Sequence, residues 1–124
     1  MSVIVTDSGF GPDDFTGEIL DLASDTAPEA LEAGTNADLG RIDFPSSADG
    51  RGFTLARLLR LRGYRGRLRA RGHVIADQYA MARRAGFDEV EISDDLAARQ
   101  PQDQWMFRAD WQAHDYQSRL RAGV

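Results

Sequence analysis

From residue 38 to residue 93 the chain alternates between short strand-like and helix-like runs, and this alternation limits the fold more than any other feature. Leu39 to Phe44 is short, largely apolar and flanked by turn residues, as a strand would be. Thr54 is a good N-cap for a helix over 55–62, in which Leu55, Leu58 and Leu59 form an apolar stripe. Gly63-Tyr64-Arg65-Gly66 ends that helix. Arg67-Leu68-Arg69-Ala70 alternates basic and apolar residues, as a second strand, and Gly72 follows. A second helix is predicted over 73–85, with Val74, Gln78, Met81 and Ala85 on one stripe and Gly86 as its stop. Phe87 to Ile92 reads as a third strand, with Val90 and Ile92 on one face and Glu89 and Glu91 on the other. Ser93-Asp94-Asp95 caps a last short helix. Strand–helix–strand–helix–strand with short connections predicts parallel strands joined by right-handed crossovers. The expected architecture is a small three-layer α/β domain with a parallel βαβαβ core over about residues 38–93.

The flanks are less patterned. Residues 2–6 suit a short N-terminal strand. Gly9, Gly11, Pro12, Asp13 and Asp14 read as a loop. Thr26-Ala27-Pro28-Glu29 has the spacing of a capping box for a short helix over 27–33, stopped by Gly34. The tail over 101–124 carries Trp105, Phe107, Trp111 and Tyr116, and such aromatic residues need burial, whether the tail wraps onto the domain, adds an edge strand or makes a homodimer contact. No repeat, low-complexity tract or linker divides the 124 residues, so one domain is expected.

The chain has no Cys, which excludes disulfides, a thiol nucleophile and thiolate-held clusters. The first residues lack the charged start and apolar run of a signal peptide, and no stretch has the length of a membrane span. A soluble cytoplasmic protein with no membrane partner is expected. Net charge is -5, but its distribution says more than its total. All 15 basic residues are Arg. Residues 1–50 hold 11 acids and one Arg, residues 51–84 hold ten Arg and one acid, and residues 85–124 hold eight acids and four Arg. Two readings stay open. Acidic and basic segments either face each other within the fold, or the middle segment forms a site for an anion or an acidic partner. Nucleic acid is a poor match, because the chain is acidic overall and no aromatic–basic interleaving resembles an RNA-binding motif.

The stretch from Asp43 to Thr54 reads as strand end, loop and helix entry, the junction where α/β proteins place ligands. Gly50 and Gly52 would let the backbone approach a ligand or adopt positive φ. Arg51 offers a planar fork for sulfate, phosphate or carboxylate, and Arg71 a second. The competing reading makes Asp49-Gly50 a plain turn and pairs Arg51 with Asp43 or Asp49. His73 stands at a predicted helix start, where the dipole favours a neutral imidazole able to act as base or donor. Asp77 is one turn on from it, placed either to orient His73 or to pair with a neighbouring Arg. The stretch is not a phosphate-binding loop, since the Gly-Lys-Ser/Thr ending is missing. It is not a dinucleotide fingerprint, since Gly50-Arg51-Gly52 lacks the third Gly. No metal site and no cofactor motif is evident.

Several blocks occur together in order: Ile42-Asp43-Phe44-Pro45, then Asp49 through Arg60, Tyr64-Arg65-Gly66, Leu68 through Gly72, Asp77-Gln78 and Arg83 through Asp88. As a set over about residues 38–93 they resemble the bacterial domain-of-unknown-function family 934, whose members carry an oxidoreductase label. Members tend to be encoded beside assimilatory sulfite reductase and the reductase for activated sulfate. The resemblance therefore implies a role in sulfate assimilation and cysteine biosynthesis, with one of those reductase systems as partner. It carries over no substrate, cofactor or catalytic residue, and no residue of the chain supports the oxidoreductase label.

Three functional expectations follow. The first is a non-catalytic accessory protein of assimilatory sulfite reduction that binds a reductase partner or a small anion. The second is a small enzyme on an anionic sulfur or phosphate compound, with Arg51 and Arg71 binding and His73 or Asp43 moving a proton. The third is a structural interaction domain that forms a homodimer through its aromatic tail. The candidate ligand-binding residues are Asp43, Asp49, Gly50, Arg51, Gly52, Arg71, His73 and Asp77.

Overall fold

A computed structural model describes residues 2–27 and 37–109. The expected helix over 27–33 and the tail from residue 110 onward, with Trp111, His114 and Tyr116, fall outside the described residues. The described elements are β1 (Ser2–Thr6), β2 (Gly9–Gly11), β3 (Ile19–Leu22), β4 (Leu39–Phe44), α1 (Arg51–Leu61), β5 (Arg67–Gly72), a 3₁₀ turn (Ala76–Gln78), α2 (Tyr79–Ala85), β6 (Glu89–Ser93), α3 (Asp94–Arg99) and α4 (Gln102–Met106). One six-stranded sheet has the order β2-β1-β6-β5-β4-β3. Strands β3 to β6 are parallel, whereas β1 runs antiparallel to β6 and to β2. The α/β class and the parallel βαβαβ core are as expected.

The helical layer differs in one respect from the three-layer expectation. Among the described residues, α1 and α2 pack on each other and on the same sheet face. Topology explains this. The strands β4, β5 and β6 follow one another without reversal, so two right-handed crossovers place both helices on one side. That face carries the core: Ile42, Phe44, Leu68, Ala70, Val90 and Ile92 from the sheet, with Leu55, Leu59, Tyr79 and Ala82 from the helices. Phe44, Phe53 and Phe87 meet at its centre, with ring centroids 4.9 Å and 5.8 Å apart from Phe44.

The strand alternation puts the other set of side chains on the opposite face, and in β4, β5 and β6 these are charged. Arg41, Arg67, Arg69 and Arg71 stand against Asp21, Glu89, Glu91 and, from the loop after β2, Asp13. Arg69 is buried, with Nε 2.6 Å from Glu89 Oε2 and Nη1 2.9 Å from Glu91 Oε1. It also reaches Asp13 at 3.2 Å. Arg67 pairs with Glu89 as well. Arg41 bridges Asp21 at 2.5 Å and Glu91 at 3.2 Å. Four cations and four carboxylates thus close on one another, so much of the segregated charge is internal pairing.

This ladder makes stability depend on acid. The Arg41 hydrogen bond holds the Asp21 carboxyl below its ordinary value of 3.8. Burial pushes the Asp13 carboxyl up, but the Arg69 hydrogen bond and charge outweigh it and the net is downward. A carboxyl depressed in the folded state contributes stability above its unfolded value, and that stability is lost as pH falls through the folded value. The thermal midpoint is therefore expected to drop as pH falls below about 4. Asp21→Asn should start lower at neutral pH and lose less on acidification. An acid limb as steep as wild type in that variant, in melts followed by circular dichroism, would refute this.

Helix boundaries depart from the expected ones for local reasons. Helix α1 begins at Arg51, not after Thr54, because Asp49 Oδ1 accepts the Arg51 N–H at 3.1 Å and turns the chain early. The segment 73–75 is not helical. His73 N–H donates to Phe44 O at 2.9 Å, and Ala76 N–H donates to Gln100 Oε1 at 2.7 Å, which pin this segment outside the helix. Helix α2 stops at Gly86 (φ 118°), and Ser93 Oγ caps α3 by accepting the Leu96 N–H at 3.1 Å, both as expected. Trp105 on α4 is buried against Tyr79, so this part of the aromatic tail packs on the domain.

Candidate functional site

Strands β4, β5 and β6 end side by side. Their register sets Asp43 beside Arg71 and Arg71 beside Glu91. Gly72 has φ 118°, and a Cβ there would stand 2.5 Å from Phe44 O, so a side chain is both strained and obstructed. Turning at Gly72 brings His73 across the end of β4. From the other side, α3 returns Leu96 and Arg99 over the strand ends. Together these residues line a cleft of about 620 Å³, with Pro45, Ser93 and Ser2 at its rim. A second lobe of about 420 Å³ shares Pro45, His73, Leu96 and Arg99 and adds Ser46, Ser47, Ile75 and Gln100.

The charges in this cleft differ in how far they are engaged. Arg71 Nε lies 3.3 Å from Glu91 Oε2, and half of its side chain is exposed. Glu91 is buried and also serves Arg41 and Arg69. Asp43, His73 and Arg99 make no side-chain hydrogen bond or ion pair among the described residues. The cleft thus presents two guanidiniums, an imidazole and an unengaged carboxylate. Among the described residues no group of His, Asp or Glu is arranged to hold a metal ion.

The candidates from sequence divide cleanly. Asp43, Arg71 and His73 meet in the cleft, as the strand-end rule anticipates. Arg51 and Asp49 do not line it. Arg51 forks onto Asp49, Nε to Oδ1 at 2.9 Å and Nη2 to Oδ2 at 2.8 Å, and a guanidinium N–H reaches Ser24 Oγ at 3.3 Å. That bidentate pair holds the Asp49 carboxyl well below the usual range. The plain-turn reading of this loop is therefore the observed one.

The two glycines of the loop also have other roles. Gly50 precedes α1 with φ -88°, which any residue adopts. Gly52 is buried, and a Cβ there would meet the Phe44 ring at 2.4 Å. Its small size lets α1 approach β4. Asp77 pairs with Arg108 and does not orient His73. Because residues 73–75 are not helical, the helical spacing that linked His73 to Asp77 does not exist, nor does a helix dipole at His73.

Arg99 is the main residue that spacing did not reveal. The last turn of α3 was legible as helix, but that it brings Arg99 into one cleft with the ends of β4 and β5 is a tertiary fact. Gln100 was missed for the same reason.

A mixed α/β sheet with a polar cleft at its parallel strand ends defines a small α/β domain of the strand-end-cleft kind. The model of the family described as bacterial protein of unknown function (DUF934) matches residues 20–122, and the chain belongs to that family. No curated protein and no solved structure matches the chain.

Proposed function

We propose that this is a non-catalytic accessory protein of assimilatory sulfate and sulfite reduction that works in the cytoplasm and holds a small anionic ligand in its strand-end cleft. The observation that carries the ligand half is the convergence of Arg71, Arg99 and His73 on one cleft at the ends of three parallel strands. The sulfur setting is what the family resemblance implies. The partner half assigns the reductase to the helical layer. The segment 51–65 and helix α2 carry no Asp or Glu, and Arg57, Arg62, Arg65 and Arg84 are exposed on them, a surface suited to an acidic face of a reductase or its electron donor.

The second reading, a small enzyme on an anionic sulfur or phosphate compound, is favoured by Asp43, Arg71 and His73 sharing that cleft. It loses Arg51 as a binding residue, because that guanidinium is held by Asp49.

Two measurements test the proposal. A strain lacking the gene is expected to fail on sulfate as sole sulfur source and to recover on sulfide or cysteine. Normal growth on sulfate would count against the pathway assignment. In calorimetric titration with inorganic sulfate or sulfite, Arg71→Gln and Arg99→Gln should each weaken binding about tenfold, the loss of a charge-assisted hydrogen bond. Melting temperature should stay the same, since both side chains are exposed. Unaltered binding in both variants would remove the ligand from this cleft.

A further inference from the structure

We propose that the cleft takes a small zwitterion, an oxyanion joined to an ammonium group by a short organic spacer, in preference to a bare inorganic anion. This rests on the anion-cleft reading above and names its ligand class.

Charge bookkeeping in the cleft leads there. Four side chains of fixed charge line it: Asp43, Arg71, Glu91 and Arg99. Glu91 is fully engaged, one oxygen accepting from Arg41 and Arg69 and the other facing Arg71 at 3.3 Å. Arg71 therefore brings a charge already answered in part. Asp43 and Arg99 remain, with no side-chain hydrogen bond or ion pair among the described residues. They are opposite in sign and both open to the same cavity. A purely anionic ligand would satisfy Arg99 and then face the unpaired Asp43 carboxylate, a repulsive contact. A ligand with an ammonium at its other end turns that repulsion into a charge-assisted hydrogen bond.

Shape agrees with charge. A volume of about 620 Å³ greatly exceeds a tetrahedral inorganic ion and falls in the roughly 300–1,000 Å³ range of small-molecule sites. Pro45 and Leu96 supply apolar wall for a short spacer between the charged ends. Arg99 offers a planar fork to carboxylate, sulfonate or phosphate, and Asp43 accepts from an ammonium, which has three donors.

Matched pairs of probes test this on the full chain by isothermal titration calorimetry. Taurine and isethionate share a sulfonate and a two-carbon spacer and differ in ammonium against hydroxyl. Beta-alanine and 3-hydroxypropionate differ in the same way with a carboxylate. Inorganic sulfate is the reference anion. In at least one pair the ammonium compound should bind about tenfold tighter than its hydroxyl partner. Asp43→Asn should bring that ratio close to one, and Arg99→Gln should weaken both members. Melting curves show whether each variant is folded. Equal binding within both pairs, with sulfate still bound, would overturn the zwitterion and leave the anion cleft standing. A preference that survives Asp43→Asn would also overturn it. Binding of neither sulfate nor any probe would bring down both readings.

Discussion

Arg69→Ala is expected to cost about 3 kcal/mol of folding stability, the lower end of the roughly 3–5 kcal/mol seen when one partner of a buried ion pair is removed. The side chain is only 1% exposed and answers three carboxylates, those of Glu89, Glu91 and Asp13. Truncation leaves Glu89 and Glu91 buried with less compensation. The lower end applies because neither glutamate is stripped bare: Arg67 still pairs with Glu89, while Arg41 and Arg71 still reach Glu91. Arg71→Ala is the comparison, because its side chain is half exposed and exposed pairs contribute about 0–1 kcal/mol. Urea unfolding of both variants measures the difference. If Arg69→Ala lies within about 1 kcal/mol of wild type, the ladder behaves as a surface network. The buried-charge account would then be wrong.

Trp105→Ala should also be severe, at about 3–5 kcal/mol, the range for large aromatic side chains truncated in cores. Trp105 has no exposed surface, its indole N–H donates to Gln100 O at 2.9 Å, and it meets Tyr79 edge-on with centroids 6.1 Å apart. Tyr79 in turn donates to Asp7 beyond the end of β1, and burial pushes its hydroxyl pKa far up. The tryptophan therefore fastens α4 to α2, while Gln102 Oε1 accepts the Phe10 N–H at 2.9 Å and ties α4 to β2. Phe107, two residues on, is 80% exposed, and Phe107→Ala should change stability by about 0.5 kcal/mol or less. Chemical denaturation with tryptophan-independent detection by circular dichroism separates the two. A Trp105→Ala loss no larger than that of Phe107→Ala would show that α4 is not part of the core. The same packing bears on the dimer idea: a truncation meant to test the tail has to begin after Ala109, because cutting at residue 101 removes a core residue.

The parallel core was readable because its signals are local. Alternation of Val90 and Ile92 with Glu89 and Glu91 names a strand with one apolar and one charged face, and β6 has those faces. Gly86 ends α2 through its own left-handed backbone, and Ser93 caps α3 three residues away. Strands β2 and β3 were not readable. They have only three and four residues, and they exist because β1 and β4 offer them hydrogen bonds. Residues 73–75 looked helical by periodicity, yet Phe44 O and Gln100 Oε1 claim the nearby backbone donors.

The site shows the same division. Asp43, Arg71 and His73 could be placed together from sequence because consecutive parallel strands bring their carboxyl ends to one edge. Arg51 could not be assigned, since Asp43 and Asp49 were both within reach along the chain. The early start of α1 gave it to Asp49. Arg99 could not be found at all, because no spacing rule says where a short final helix will lie.

The amino-acid sequence by itself thus determined the parallel α/β core, the charged alternation of its strands and the edge at which a cleft would form. All three depend on interactions between near neighbours in the chain. Only the tertiary structure decided which carboxylate each arginine meets, that the helices share one face, and that Asp43 and Arg99 are left opposed across one cavity. A charge pairs with whatever lies within a few ångströms in space, and with sixteen side-chain carboxylates and thirteen arginines in residues 2–27 and 37–109, distance along the chain cannot select among them.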